Sequence, residues 1–275
     1  MSASFAKALE AAHDAAGSQN HPASTLYVVA TPIGNLADIS LRALHVLALV
    51  DTVACEDTRH TQQLLRAYGL DRPAAQLLAV HQHNEAQAAQ DVMQRLAQGE
   101  RVAYVSDAGT PAISDPGARL VAAVRLAGYR VLPLPGASSV TTALSASGMT
   151  GDAGFVFAGF LPSKAAERHQ AVQALAQESR SVVLLEAPHR IDALAQALAA
   201  LGPRLITVGR ELTKQFEQIE TLAAQDLSAW LAEKPDRQRG EFVLVLHDTL
   251  VAAPAGAKHG NPPVAPLPPS GHPDR

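Results

Sequence analysis

The chain has 275 residues, of which 47% are hydrophobic, with 22 Lys+Arg against 26 Asp+Glu and a formal charge of −4. That length buries a sizeable core in one large domain or two ordinary ones, and net acidity excludes a basic nucleic-acid coat. A single cysteine, Cys55, excludes a disulfide framework and any Cys-rich zinc or iron–sulfur site.

In chain order, residues 1–22 carry Glu10 and Asp14 and lack an apolar run, so they read as a disordered segment rather than a secretory leader. Short β-branched runs then alternate with helical periods. TLYVVA (25–30) precedes a helix near 40–50, TVAC (52–55) one near 58–68, and QLLAV (76–80) one over 85–98. RVAYVS (101–106) precedes a helix near 115–127, and YRVLPL (129–134) one near 138–147. Gly99 and Gly128 stop two of these helices. Five strand–helix repeats with continuous apolar strands predict a parallel sheet covered on both faces.

The glycines of GMTGDAG (148–154) mark a hinge. Beyond it, FVFAGF (155–160), a helix over 164–178, SVVLLE (181–186), a helix over 190–200, RLITVG (204–209), FEQIET (216–221), a short helix near 226–233 and EFVLVLH (241–247) predict a second α/β unit. Six residues between RLITVG and FEQIET are too few for a crossover helix, so that pair is antiparallel and the second sheet mixed. The expected division is a disordered 1–22, an α/β donor-binding domain over 23–148, a second α/β domain over 149–250, and a Pro-rich disordered tail over 251–275, with the ligand cleft between the domains. The uncharged stretch 131–151 contains Pro133, Pro135 and Gly136 and does not read as a membrane span; a cytoplasmic protein is expected.

Ligands of an open parallel sheet sit beyond the carboxyl ends of its strands, and the informative loops follow the strands here. Thr31-Pro32-Ile33-Gly34 follows the first, but it is neither a dinucleotide fingerprint nor a P-loop, and neither motif occurs elsewhere. Ser106 to Gly117 follows the fourth. Its Asp115 is accounted for by helix capping, whereas Asp107 stands at the strand end facing a ligand. Pro135-Gly136-Ala137-Ser138-Ser139 follows the fifth. Three small-residue loops at one sheet edge outweigh any one of them. Cys55 reads as core, and His81 with His83 as a solvated loop rather than a metal pair, so no metal is expected.

TPIGNLADIS, EDTRHT, SDAGTPAISDPG, LPLPGASSVTTAL, FAGFLPSK, EAPHR and GRELTKQFE occur in this order within residues 24–248. Together they resemble the tetrapyrrole (corrin/porphyrin) methylase superfamily, and in their detailed wording its branch acting on a cytidine ribose of small-subunit ribosomal RNA. The resemblance implies a homodimer with S-adenosylmethionine in the cleft, S-adenosylhomocysteine as product, and 2′-O-methylation of 16S rRNA on the 30S subunit. It implies donor contacts from Pro32, Gly34, Asp107, Ala108, Gly109, Thr110, Ser138, Ser139, Phe160, Leu161, Ala187 and Pro188.

Transfer to a ribose hydroxyl calls for a group that takes a proton or steadies the developing alkoxide. Candidates facing the cleft are Asp57, Asp107, Lys164, Glu186, Glu211, Lys214 and Glu217, with Lys164, Glu211 and Lys214 expected to form the acceptor side. Residues 1–150 hold 10 basic and 12 acidic side chains and residues 151–249 hold 10 and 13, so an RNA patch must be local. Arg59, Arg168, Arg190, Arg210 and Arg239 are its expected members, with Arg237 a further candidate. The alternatives are a methylase of the same fold acting on a macrocycle or a protein residue, and a non-catalytic donor-binding, ribosome-associated module.

Overall fold

The computed structural model describes residues 5–248 apart from Gln82, Pro116 and residues 150–152. The expected tail over 251–275 and the middle of the expected hinge lie outside the described residues.

The first sheet is built from β1 (Thr25–Val29), β2 (Thr52–Cys55), β3 (Leu77–Ala79), β4 (Arg101–Val105) and β5 (Arg130–Leu134), all parallel, in the order β3-β2-β4-β1-β5. Every residue of β1 and β2 is buried, because helices cover both faces and leave no side of the strand for polar residues. Side chains alternate accordingly. Tyr27 and Val29 pack with α2 (Leu41–Leu49) and α3 (Thr58–Ala67), while Leu26 faces α4 (Glu85–Ala97) and α5 (Gly117–Leu126). Pro133 is tolerated because β5 is an edge strand. Cys55 is a core residue, and burial pushes its thiol up to about 11.

The second sheet comprises β6 (Phe155–Gly159), β7 (Ser181–Glu186), β8 (Leu205–Arg210), β9 (Gln218–Ala223) and β10 (Phe242–Leu246), ordered β6-β7-β10-β8-β9. β6 and β7 are parallel and the other pairs antiparallel, so the sheet is mixed, as the short 211–217 connection requires. One face packs Leu184, Ile206 and Leu244 against α7 (Ala165–Ala176), α8 (Ile191–Leu198) and α9 (Leu227–Ala232). The other presents Val183, Val243 and Val245 to Ala143 and Leu144 of α6 (Ser139–Ala146) and to Ile33. That apolar contact joins the two sheets and sets the walls of the cleft.

The N-terminus departs from expectation. Within the segment 1–22 expected to be disordered, α1 (Ala6–Ala16) packs on α2, burying Ala12 beside Leu44 and Tyr68, and Ala16 is buried too. The Phe5 ring meets Tyr68 edge-on, with centroids 5.1 Å apart. The contact stripe is mostly alanine, which gives a weak hydropathy signal yet allows the helices a close approach.

Candidate functional site

Backbone bonds tie the loops at the strand ends together. Thr31 and Gly109 exchange hydrogen bonds, N–H to O, at 2.9 and 3.0 Å, bridging TPIG to SDAGTP. Thr31 Oγ1 donates to Ser106 O at 3.2 Å, and Thr110 Oγ1 donates to Ala137 O at 3.0 Å, linking in the third loop. Gly109 holds φ +83°, and a Cβ there would stand 3.2 Å from Ile33 Cγ2. The positive φ favours glycine there, and a side chain would also press on Ile33.

These loops and the second sheet enclose a cavity of about 440 Å³, within the ordinary range for small-molecule sites. Its first-sheet wall includes Glu56, Gly109, Thr110, Asp115, Ser138 and Ser139. Its second-sheet wall includes Phe157, Phe160, Glu186, Ala187, Pro188 and Val243. Among the described residues lining it, Glu56, Asp115, Glu186 and Glu241 are carboxylates and none is cationic. Three of the four are answered by other groups. Asp115 accepts from the Ala112 and Gly117 amides and the Tyr104 hydroxyl, at 2.8–3.0 Å. Glu186 accepts from Ala187 N and pairs with Arg190 at 3.1 Å. Glu241 pairs with Lys214 at 3.0 Å. Glu56 receives the Asp107 amide, and burial followed by the charges of Asp115 and Asp107 push its carboxyl up to about 7.

A second cavity of about 540 Å³ lies against the first, and Ile33, Ala108 and Glu241 border both. Pro32, Gly34, His60, Gln63, Asp107 and Lys214 line it. Lys214 Nζ donates to Glu211 Oε1 at 2.8 Å and to Glu241 Oε2 at 3.0 Å. Burial works to lower the Lys214 pKa, but these carboxylates outweigh it and the amine is held above its ordinary value. Burial likewise works to raise Glu211, and Lys214 with the Glu241 amide outweighs it, leaving Glu211 below the usual range. Both stay charged at neutral pH. The turn carrying them is strained, with Glu211 at φ 51° and Thr213 at φ 66°. Any Cβ on Gly34 would collide with the Lys214 side chain, so the TPIG loop needs glycine to lie against this turn.

Of the residues expected to hold a donor, Ala108, Gly109, Thr110, Ser138, Ser139, Phe160, Ala187 and Pro188 line the first cavity, and Pro32, Gly34 and Asp107 the second. Leu161 lines neither; it is buried, and its carbonyl accepts from Arg190. On the acceptor side only Lys214 lines a cavity. Lys164 projects from the start of α7, its side chain 80% exposed and paired with Glu167 at 3.0 Å. Asp57 is an N-cap, half-buried and held down at about 2 by Arg59, whose side chain is 87% exposed. Glu217 accepts from Thr213 N at 2.6 Å and braces the strained turn.

The expected RNA-binding arginines divide. Arg59 and Arg239 are exposed and Arg168 is half-buried, donating to Ser163 O. Arg210 is only 6% exposed and donates to Arg239 O, Phe216 O and Gln218 Oε1; Arg190 is bound to Glu186 and Leu161. These two guanidiniums hold protein together and are withdrawn from an RNA surface, as is Arg237, bound to Trp230 O and Glu233. Phe157, Asp115 and Glu241 are not expected from the sequence as cavity-lining, whereas Glu56 directly follows a strand of the first sheet, in the EDTRHT segment whose family resemblance puts it at the cleft.

The chain matches the model of the Tetrapyrrole (Corrin/Porphyrin) Methylases over residues 25–228. It is 48% identical over 223 residues to ribosomal RNA small subunit methyltransferase I of Escherichia coli O157:H7, covering 80% of this chain and 77% of that one. Among solved structures it resembles diphthine synthase (TM-score 0.60, 15% identity, covering 81% of this chain and 90% of that one). It also resembles uroporphyrin-III C-methyl transferase from Thermus thermophilus complexed with S-adenyl homocysteine (TM-score 0.55, 16% identity, 82% and 98%). By the extent of the family match and the identity to that relative, the chain belongs to the tetrapyrrole (corrin/porphyrin) methylase family.

Proposed function

We propose that this chain is an S-adenosylmethionine-dependent methyltransferase that 2′-O-methylates the ribose of a cytidine in 16S rRNA on the small ribosomal subunit. The observation that carries the reading is the joining of two cavities, one acidic and without a lining cation, the other bearing Lys214, across a border of Ile33, Ala108 and Glu241. The first suits a cationic donor. The relatives' name supports ribosomal RNA as the acceptor. The reading includes a homodimer working in the cytoplasm; among the described residues no helix is long and apolar enough to cross a membrane, and no group of side chains suited to a metal is found.

When bound, S-adenosylmethionine supplies an electrophilic methyl group on a positively charged sulfur. The residues Gly109, Thr110, Ser138 and Ala187 offer backbone groups and small side chains to it, and Phe157, Leu185 and Val243 keep that cavity dry. Holding donor and ribose in line contributes on the order of 7–11 kcal/mol in favourable cases. On the acceptor side Pro32, Gly34 and Asp107 shape the second cavity, and Lys214, fixed by Glu211 and Glu241, presents a permanent cation to a phosphate or to the 2′-oxygen as it sheds its proton. Lys214 therefore acts through charge, not as a base. Arg59, Arg168 and Arg239 are the arginines left to meet RNA.

The test is incubation with methyl-labelled donor and 30S particles lacking the modification, followed by digestion to nucleosides. Label in the ribose of a cytidine is expected; label in a ribosomal protein, or none in RNA, would overturn the reading. In single-turnover assays at saturating donor, Lys214→Ala is expected to slow transfer roughly 10²–10³-fold, the cost of losing one positioned electrostatic group. Lys164→Ala, exposed and paired only with Glu167, is expected to stay within about threefold of wild type. The opposite ranking would return Lys164 to the chemistry.

A further inference from the structure

Glu56 stands apart from the other carboxylates of the first cavity. Asp115 is occupied by backbone amides and Tyr104, Glu186 by Arg190, and Glu241 by Lys214. Glu56 follows β2, half-buried in the cavity wall, and makes no ion pair among the described residues. The groups that interact with it are Asp107 and Asp115 from the SDAGTP loop, Tyr104 from β4 and Cys55 from its own strand, none of them a cation. The wall thus carries an uncompensated acidic group where a small molecule would sit, and a positive charge inside the cavity would be its missing partner.

We propose that Glu56 is the residue through which this cavity reads the charge on sulfur, so that the sulfonium donor is held in preference to the neutral thioether product. The inference rests on the donor reading above. With the cavity free, the Glu56 carboxyl titrates at about 7 and carries its proton for a good part of the time at neutral pH. Entry of a cation favours the carboxylate and expels that proton to solvent. Once the methyl has left, the sulfur is neutral, the carboxylate has lost its partner, and it takes a proton back as the product is released. Donor binding is then coupled to proton release and product binding is not.

Calorimetric titration of the full chain with S-adenosylmethionine and with S-adenosylhomocysteine tests this, run from pH 6 to pH 8 in two buffers of different ionisation enthalpy. The sulfonium lowers the donor's own amine pKa relative to the product's, so the contribution of Glu56 is read as the difference between wild type and Glu56→Gln, in which the ligands' titrations cancel. The donor-to-product affinity ratio of the wild type is expected to rise about tenfold more across that range than that of Glu56→Gln, with an added proton release on donor binding. In Glu56→Gln that added rise and added proton release are lost. A second readout checks that Glu56 titrates in the free protein. Its folded pKa lies above the ordinary carboxylate value, so its contribution to stability is present below about 4.5 and lost as pH rises through about 7. The thermal stability of Glu56→Gln relative to wild type should therefore climb over that window. If wild type and Glu56→Gln show the same ratio and the same proton release, the proposal fails while the donor site stands. If the wild type binds neither ligand, the donor reading itself fails.

Discussion

Arg72→Ala is expected to lower the unfolding free energy by about 2–4 kcal/mol, although Arg72 touches neither cavity. Its side chain lies inside, with the residue 9% exposed, and closes the C-terminal end of α2. One terminal nitrogen donates to Leu47 O at 2.7 Å, Val50 O at 2.6 Å and Ala48 O at 3.3 Å, and the other to Gln76 Oε1 at 3.1 Å. The last carbonyls of a helix have no partner within it. Here β2 begins two residues beyond Val50, so the chain has no room for a glycine cap, and an arginine from elsewhere supplies the donors. Alanine would leave several buried carbonyls bare, each costing about 1–3 kcal/mol unless water reaches it. Lysine would restore only part, having a compact ammonium in place of a planar fork. Urea denaturation should show a lower midpoint at unchanged slope for Arg72→Ala, with Arg72→Lys in between. A change below about 0.5 kcal/mol would mean that the α2 terminus is solvated in solution.

The particular elements show why some of this was legible in the chain and some was not. The strands of the first sheet are read with little ambiguity because helices cover both faces, so each is an uninterrupted apolar run. The donor-side loops stand out because bends that bring backbone against a ligand need Gly and Pro, as Gly34 and Gly109 illustrate. What escaped reading depends on long-range partners. Lys214 and Glu241 are 27 positions apart and meet only because β8 and β10 are neighbours in the sheet. Arg210 looked available for RNA, yet its partners Arg239 O and Phe216 O belong to connecting segments whose positions no local pattern gives. Glu56 and Asp57 stand side by side where β2 ends. That Asp57 does the capping while Glu56 faces the cavity follows from the turn of the chain at the end of β2. The helix α1 was missed for a different reason, since an alanine stripe buries little area per residue and is nearly silent in hydropathy.

Gly109→Val is expected to weaken donor binding by roughly 30- to 1,000-fold, corresponding to about 2–4 kcal/mol. Two costs meet at this position. A side chain at φ +83° is strained by about 1–2 kcal/mol, more for a β-branched residue. The new Cβ would also stand 3.2 Å from Ile33 Cγ2, closer than ordinary van der Waals contact. In the free protein the loop can shed both costs by leaving its position, giving up the paired Thr31–Gly109 hydrogen bonds at about 0.5–1.5 kcal/mol each. The bound state requires the loop in place, so the cost reappears as lost affinity. Gly99→Ala separates the two effects. Gly99 also has a positive φ, of +89°, but nothing lies within 4 Å of a Cβ there, and it follows α4 outside both cavities. That variant should lose about 1 kcal/mol of stability and bind the donor like wild type. Calorimetry with S-adenosylhomocysteine reads the affinity of each variant, and thermal unfolding reads how much strain remains in the free fold. Binding by Gly109→Val within threefold of wild type, with its stability also unchanged, would mean that the SDAGTP loop does not shape the donor cavity.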